Sequence, residues 1–314
     1  MSPAVQTVLC GLFALLVIAG LGRALVFRPD LSPAALERDH TDGTSRFMEV
    51  DGLRFHYRDE GSGDPIVLLH GLTDSLFVWD PWVGQLSRYA RVIRLDLPGH
   101  GLTGPDPQGR YAWSEIADLV VRFLDQLGFA RAILVGSSWG GAIAWQLAAR
   151  YPERVDRLVL VAPVGYTAGG QLPWLLWLLA HPVAGPLMAR LTPRRLFMRR
   201  VRHIYADPTR ADRVQAERQY RLFRRAGNRD ALSAILRAGV ALETKALLAR
   251  VRAPTLLLWG AADPVLPSTL AHCFARDIAN AELVMIPGVG HAPMLELPEQ
   301  SVAKLLAFLR CCSP

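Results

Sequence analysis

The chain has 314 residues, of which 51% are hydrophobic and 20% are charged, and this composition supports a buried core and excludes a wholly disordered chain. The length suits one large domain with an insertion, or at most two domains. The formal net charge of +7 rests on arginine, with lysine at only two positions. Because no nucleic-acid-binding motif accompanies this charge, we expect no nucleic-acid partner. The four cysteines show neither metal-ligand spacing nor a disulfide pattern.

The amino-terminal residues differ in kind from the rest. No charged side chain occurs between Met1 and Gly22, and about 20 apolar residues in a helix cross a bilayer, so we predict a single transmembrane anchor at residues 4–27 and a membrane location. A cleaved signal peptide and a buried helix remain alternatives. Arginines follow the span and none precedes it, which favours a folded domain on the cytoplasmic side. Residues 28–45 are polar, contain two prolines and an Asp-Gly pair, and are interpreted as a linker.

The folded domain is predicted to begin at residue 46 with a hairpin, because the strand-like runs 46–50 and 53–58 flank an Asp-Gly turn. Short continuous apolar runs then alternate with helical stretches, a pattern typical of strands buried on both faces. The runs lie at 65–69, 91–95, 132–135, 158–161, 255–259 and 283–286, and the helical stretches at 79–88, 113–127, 139–151, 268–277 and 298–310. This alternation predicts an α/β fold with a mostly parallel, eight-stranded sheet flanked by helices.

One long segment interrupts the alternation. Residues 165–248 show helical patterns and no buried strand, so we predict a helical insertion that divides the core into residues 46–164 and 249–314. Between residues 165 and 250 there are 16 lysines and arginines but only five aspartates and glutamates. Two tryptophans lie among leucines near the start of the insertion, and basic helices with tryptophan favour anionic membrane surfaces. An ordinary insertion with a solvated arginine face is the alternative interpretation.

A sharp-turn motif follows the apolar run at 132–135. The segment Gly136-Ser137-Ser138-Trp139-Gly140 fits the pattern Gly-x-Ser-x-Gly and opens a helical stretch. Such a turn strains the serine backbone and presents the hydroxyl at the carboxyl edge of the sheet, where the helix amino terminus favours developing negative charge. We therefore predict that Ser138 is a nucleophile. Ser137 is the rival, but it lacks the glycine two positions before it.

A serine hydroxyl is too weakly acidic to attack unaided and needs a base and an acid that orients the base. His291 follows the last buried run, and Asp263 follows the run before it. Both are therefore predicted at the same sheet edge as Ser138, in the chain order serine, acid, histidine. A surface histidine and a turn aspartate before proline are the alternatives. His70 and His100 also adjoin glycines, and we expect them to hold loop structure.

From residue 46 onward the chain resembles the α/β-hydrolase superfamily. The resemblance is carried by His70-Gly71-Leu72, Asp96-Leu97-Pro98-Gly99-His100-Gly101, the serine turn, Trp259-Gly260-x-x-Asp263 and Gly290-His291. It implies an α/β-hydrolase fold with residues 165–248 as its helical cap, and an oxyanion hole formed by the backbone N–H groups of Leu72 and Trp139. The anchor, the serine turn and the segment 161–165 are similar to membrane-anchored monoacylglycerol-lipase-like hydrolases. Serine at position 138 argues against the dehalogenase and epoxide-hydrolase branches, which use aspartate there.

These features predict a serine hydrolase that cleaves carboxylic esters, including lipid acyl esters, through an acyl-enzyme and without a metal or organic cofactor. The same three side chains can hydrolyse a carbon–carbon bond in a dienoate, whose carboxylates the basic cap could hold, and this activity stays open. A non-catalytic ligand-binding protein of the same fold is a further alternative. The expected partners are an ester substrate and, through the anchor and the cap, a membrane.

Overall fold

The computed structural model describes residues 28–166, 178–239 and 244–311. The predicted transmembrane anchor at residues 4–27 lies outside the described residues, as do both tryptophans of the predicted cap. Within the three described ranges, none of the helices combines the length and the apolar character needed to span a bilayer.

Eight strands form one sheet. They are β1 (Ser45–Val50), β2 (Leu53–Glu60), β3 (Pro65–Leu69), β4 (Arg91–Leu95), β5 (Ala132–Ser137), β6 (Val155–Val161), β7 (Thr255–Gly260) and β8 (Ala281–Ile286). The spatial order is β1-β2-β4-β3-β5-β6-β7-β8. The β1–β2 and β2–β4 pairs are antiparallel, and all the other neighbouring pairs are parallel. The predicted mostly parallel, eight-stranded sheet is confirmed. Consequently the carboxyl ends of β3 to β8 lie at one edge of the sheet.

The predicted hairpin is also confirmed. Val50 pairs with Leu53 at the end of the β1–β2 ladder, and the two residues between them, Asp51 and Gly52, have φ angles of 48° and 78°. Two central residues with positive φ make the tight turn that matches the twist of paired strands.

Helices flank the sheet and fill the insertion. They are α1 (Pro33–His40), α2 (Asp80–Leu86), α3 (Trp113–Gln126), α4 (Trp139–Arg150), α5 (Ala184–Arg190), α6 (Arg194–His203), α7 (Arg213–Phe223), α8 (Asn228–Ala238), α9 (Thr244–Leu248), α10 (Thr269–Asp277), α11 (Pro293–Glu296) and α12 (Pro298–Cys311). Helices α5 to α9 lie between β6 and β7, where the insertion was predicted. We call the described part of residues 165–248 the cap.

The core lies on both faces of the sheet, and alternate residues of one strand enter different clusters. Val67 and Leu69 of β3 pack in one cluster, mainly against α3 and α4. Ile66 and Leu68 of the same strand pack in the other, with side chains of α2 and α12. Because strand side chains alternate between faces, a continuous apolar run is what a strand covered on both sides requires.

The interpretation of residues 28–45 as a linker is wrong in part. Helix α1 lies within this range, begins with Pro33, a favoured first helical residue, and buries Leu36 completely. Leu36 packs in a small cluster with Leu76, Phe77 and Leu222. Helix α1 contains one leucine, which gives no hydrophobic periodicity, so the local sequence pattern could not reveal a helix that depends on this tertiary contact.

The residues just before α1 are bound to the cap. The Leu31 N–H donates to the carbonyl of Arg224 at 2.7 Å, and the Leu31 carbonyl accepts from the N–H of Ala226 at 3.0 Å. The guanidinium of Arg229 binds the Asp30 carboxylate at 2.6 Å. The first described residues, which precede α1, therefore contact the cap.

Candidate active site

Ser138 occupies a sharp turn between β5 and α4. Its φ of 51° and ψ of −114° place it in a region that costs a non-glycine residue about 1–3 kcal/mol. A Cβ on Gly136 would lie 2.5 Å from the Gly140 carbonyl oxygen, and a Cβ on Gly140 would lie 2.3 Å from that of His70. Both glycines of the motif are thus required by close backbone contacts, as the motif predicts.

The surrounding backbone holds this strained residue in place. The Ser138 N–H donates to the carbonyl of Val161 at 2.9 Å, and the Ser138 carbonyl accepts from the N–H of Val164 at 2.9 Å. The residue is only partly buried, whereas Ser137 is 3% exposed. Of the two serines, Ser138 is therefore the one that remains open to a substrate at the carboxyl edge.

Asp263 and His291 are in direct contact. The His291 Nδ1 atom lies 2.8 Å from Asp263 Oδ2. The other carboxylate oxygen, Asp263 Oδ1, accepts the backbone N–H groups of Val265 at 2.8 Å and Leu266 at 2.9 Å. The Asp263 side chain is fully buried and the His291 side chain is 10% exposed. An ionised carboxylate with these partners keeps the proton on Nδ1, which leaves Nε2 able to accept one.

The topology brings all three predicted residues to one edge. Ser138 follows β5 directly, Asp263 lies three residues after β7, and His291 lies five residues after β8. At about 4.8 Å per strand, the ends of β5 and β7 are about 10 Å apart, a gap that their loops can span. In the described part of the chain no hydrogen bond joins the Ser138 hydroxyl to His291. Such a bond is often long in hydrolases without substrate.

The loop after β3 lies against the serine. A Cβ on Gly71 would be 3.4 Å from the Ser138 Cβ and 4.0 Å from its Oγ. The next residue, Leu72, packs on both the core and the cap, and its N–H has no hydrogen-bond acceptor among the described residues. Trp139 is the first residue of α4, so its N–H has no partner within the helix. These are the two groups that the resemblance assigns to an oxyanion hole.

His70 and His100 hold loops together, as expected. His70 Nε2 accepts the N–H of Leu97 at 3.0 Å, and its Nδ1 contacts the Gly71 carbonyl at 2.8 Å. His100 Nδ1 contacts the Pro98 carbonyl at 3.0 Å. Burial lowers the pKa of both imidazoles, that of His100 to about 3. Both rings are therefore neutral at physiological pH and cannot act as cations in this site.

Asp96 organises the loops at the same edge, a role the sequence did not reveal. Its carboxylate accepts the backbone N–H groups of Leu76 and Leu102, each at 2.8 Å, and contacts His56 Nδ1 at 2.7 Å. Burial opposes ionisation, but the hydrogen bond and charge of His56, with the other contacts, lower the pKa of Asp96 to about 2. In the sequence, Asp96 was noted only as part of a segment that carries the family resemblance, and nothing there indicated its hydrogen-bonding role.

Glu296 is a second residue that the sequence did not single out. Its buried carboxylate accepts the N–H groups of Gly290 at 2.7 Å, Asp207 at 2.8 Å and Ala206 at 3.1 Å. The His291 N–H in turn donates to the Ile204 carbonyl at 2.7 Å. The loop that carries His291 is thus fastened to the segment that leaves α6. A glutamate just before Leu-Pro has no local feature that points to these partners.

The carboxyl of Asp74 lies in the loop that follows Gly71. Burial raises its pKa to about 7, and the nearby charge of Asp96 acts in the same direction. A hydrogen bond from the Ser75 N–H and the charge of Arg200 on α6 oppose this rise. Arg200 forms no hydrogen bond or ion pair with any described residue. A titrating carboxyl on the loop after β3 and a guanidinium on α6 therefore lie close enough to interact.

Among the described residues, no group of three or more His, Cys, Asp or Glu side chains is arranged to hold a metal ion.

Comparison with known proteins identifies the fold family. A family model described as alpha/beta hydrolase fold matches residues 64–298. A poly(3-hydroxyalkanoate) depolymerase from Ectopseudomonas oleovorans is 31% identical over 78% of this chain and 84% of its own length. A 2-hydroxymuconate semialdehyde hydrolase from Pseudomonas sp. strain CF600 is 30% identical over 78% of this chain and 86% of its own. The crystal structure of a membrane phospholipase A superposes with a TM-score of 0.72 at 25% identity and covers 98% of both chains.

Proposed function

Because the chain belongs to the alpha/beta hydrolase fold family, we propose that it is a serine hydrolase that cleaves carboxylic esters with Ser138 as nucleophile, His291 as base and Asp263 as the orienting acid. The observation that carries the proposal is the 2.8 Å contact between His291 Nδ1 and Asp263 Oδ2 at the sheet edge where the strained turn presents Ser138. A histidine held by a buried carboxylate, beside a strained serine, is the arrangement that activates a hydroxyl for acyl transfer.

The reaction divides into two displacements. His291 Nε2 takes the Ser138 proton while Oγ attacks the ester carbonyl, and it returns that proton to the alcohol that leaves. Water then repeats the sequence on the acyl-enzyme and releases the carboxylic acid. Asp263 stabilises the imidazolium in both halves. The N–H groups of Leu72 and Trp139 stabilise the oxyanion, and each such donor contributes about 100- to 1,000-fold in rate.

The acyl group is proposed to be lipophilic. Leu72 of the loop beside Ser138 packs against a cluster that includes Phe197, Tyr220 and Phe223 of the cap, so an apolar part of the cap contacts the loop that adjoins the serine. Two similar proteins are named poly(3-hydroxyalkanoate) depolymerase and membrane phospholipase A. Both names refer to substrates that contain ester bonds. We further propose that residues 4–27 anchor the chain in a membrane, which would bring the cap close to lipid substrates.

Carbon–carbon bond hydrolysis of a dienoate is the second candidate. The observation that favours it is the Arg200 guanidinium, which has no hydrogen-bonding partner in the described ranges. It lies one helical turn before Ile204, whose carbonyl accepts the His291 N–H. Residues four apart share a helix face, so Arg200 is placed to hold a substrate carboxylate. A similar protein is named a 2-hydroxymuconate semialdehyde hydrolase.

The decisive experiment measures labelling by a fluorophosphonate probe and turnover of p-nitrophenyl esters of graded chain length. Ser138→Ala should abolish both, while the neighbouring Ser137→Ala serves as the matched control and should retain them. Wild-type turnover of a dienoate with no ester turnover would favour the second candidate. Absence of labelling in the folded wild type would leave a ligand-binding protein without hydrolase activity.

A further inference from the structure

A basic cavity lies on the cap, and none of the three residues of the proposed triad lines it. Its volume is about 410 Å³, and it is formed by α6, the start of α7 and the turn before α7. Five arginines line it, with Met198, Ala211 and Ala216 as apolar walls and Asp212 as the single acid: Arg194, Arg195, Arg199, Arg202 and Arg213. Residues 195, 199 and 202 are spaced by four and three, so they share one face of α6.

Most of this positive charge is not neutralised by the protein. Arg194 pairs with Glu217 at 2.6 Å. Within the described ranges, Arg195, Arg199, Arg202 and Arg213 have neither a hydrogen bond nor an ion pair through their side chains. The one acid in the wall is engaged elsewhere, because Asp212 Oδ1 accepts the N–H of Val214 at 2.9 Å and caps α7. Like charges one turn apart on a helix repel, so the cavity gains stability from an anion.

Two exposed aliphatic side chains follow arginines of the cavity in the chain. Leu196, after Arg195 on α6, is 60% exposed, and Val214, after Arg213 on α7, is 70% exposed. Arginines next to exposed aliphatic side chains are typical of surfaces that rest in the headgroup region of a bilayer. A soluble anion would use the arginines but would leave these two side chains in water.

The amino-terminal segment joins the cap at the other end of α7 from the cavity. Arg213 opens α7 and Arg224 follows its last residue, so the helix places them about 16 Å apart at 1.5 Å per residue. The Arg224 guanidinium donates to the Pro29 carbonyl at 2.9 Å. An anchor at residues 4–27 would therefore tether α7 to a membrane, with the cavity about one helix length from the junction.

We infer that the cavity binds the phosphate of an anionic phospholipid headgroup, with Arg195, Arg199, Arg202 and Arg213 around the phosphate and Leu196 and Val214 in the interface. Guanidinium groups bind phosphate oxygens in pairs and are the favoured side chain for this contact. The inference does not depend on the ester chemistry, because none of these residues belongs to the proposed triad.

The test uses the full chain in a neutral detergent and isothermal titration with short-chain lipids. Dihexanoyl phosphatidylglycerol should bind at least tenfold more tightly than dihexanoyl phosphatidylcholine. Each basic residue near an anionic surface strengthens binding roughly fivefold, so the triple variant Arg195→Gln, Arg199→Gln, Arg202→Gln should weaken phosphatidylglycerol binding by about 100-fold. Equal binding of the two lipids, or an unchanged triple variant, would overturn the inference.

A matched control removes the same charge elsewhere. Arg88, Arg250 and Arg252 are exposed and lie shortly before β4 and β7, at the edge of the sheet opposite the catalytic serine. The variant Arg88→Gln, Arg250→Gln, Arg252→Gln should bind phosphatidylglycerol like the wild type. Inorganic phosphate, titrated in parallel, separates the sources of the anion. Phosphate that binds as tightly as the lipid would show a site for soluble anions and would also overturn the inference.

Hydrogen exchange on vesicles gives a readout independent of activity. Amides at residues 194–216 should exchange more slowly when the full chain is bound to phosphatidylcholine vesicles with 30 mol% phosphatidylglycerol than to pure phosphatidylcholine vesicles. Amides at 80–95 should not change. Ester turnover retained in the triple variant would show that the loss concerns lipid binding alone, whereas equal exchange on both vesicles would contradict the inference.

Discussion

Replacement of Asp263 by asparagine tests the proposed triad most sharply, because the structure fixes how the new amide must lie. Asp263 Oδ1 accepts two backbone N–H groups, at 2.8 and 2.9 Å. Asparagine can satisfy these donors only with its carbonyl oxygen, so its NH₂ group must face His291 Nδ1. That nitrogen must then accept a hydrogen bond, and the imidazole proton moves to Nε2, the atom proposed to take the serine proton.

The expected loss can be worked from these contacts. To restore the working tautomer the amide must turn over, which takes the acceptor away from the N–H groups of Val265 and Leu266 and turns an NH₂ group towards them. The negative charge that stabilises the imidazolium is lost as well. We therefore expect kcat to fall by about 10,000-fold, which corresponds to about 5.5 kcal/mol in the activation barrier. The melting temperature should change little, since the side chain keeps its size and its backbone contacts.

The assay is kcat for p-nitrophenyl butyrate, together with the rate of fluorophosphonate labelling, for wild type and Asp263→Asn. The control is Asp212→Asn, because Asp212 Oδ1 accepts the N–H two residues ahead at 2.9 Å just as Asp263 Oδ1 does, but no histidine faces it. The control should keep wild-type kcat. A kcat for Asp263→Asn within tenfold of wild type, in a folded protein, would refute the reasoning.

Three further predictions concern packing and charge at the same sheet edge. A Cβ on Gly260 would lie 2.0 Å from the Gly290 carbonyl oxygen, so Gly260→Ala should displace the histidine loop and lower kcat more than tenfold. The control is Gly84→Ala in α2, where a Cβ would meet nothing within 4 Å; it should keep wild-type kcat and raise the free energy of unfolding by about 0.5–1 kcal/mol. Equal kcat values for the two variants would show that the Gly260 contact does not position the histidine loop. The pKa of Asp96 is lowered to about 2, so its contribution, about 2 kcal/mol, is present above pH 4 and is lost as the pH falls towards 2. Acid unfolding followed by circular dichroism should show this loss in wild type and not in Asp96→Asn. The pKa of Asp74 is raised to about 7, so its effect has the opposite sign and stability declines as the pH rises from about 4 to 7. Urea unfolding at pH 5 and pH 8 should show a decline that Asp74→Asn removes, and an equal decline in the variant would assign it to another group.

The strands, the hairpin and the position of the insertion could be predicted because each depends on local pattern. A parallel strand covered on both faces requires an unbroken apolar run, and an Asp-Gly pair fixes a two-residue turn. The Gly-x-Ser-x-Gly spacing was equally local, since the glycines at 136 and 140 are required by backbone atoms of the turn itself and of the adjacent β3.

The rest could not be predicted because it depends on contacts between distant parts of the chain. The other buried members of the Leu36 cluster lie 40 or more residues away, and Glu296 binds N–H groups 89 and 90 residues before it. Neither leaves a period or a motif in its own neighbourhood. The arginines of the cap were visible as composition, but their division into paired and unpaired groups required the packing of α6 against α7.

The carboxylate of Glu296 has a consequence for how the cap can move. It joins the residues after α6 to the loop of the base through three backbone N–H groups, so that end of the helix cannot rise without pulling His291 out of place. Displacement of residues 204–207 would therefore be transmitted to the loop that carries His291, so the position of this part of the cap and that of the imidazole are coupled.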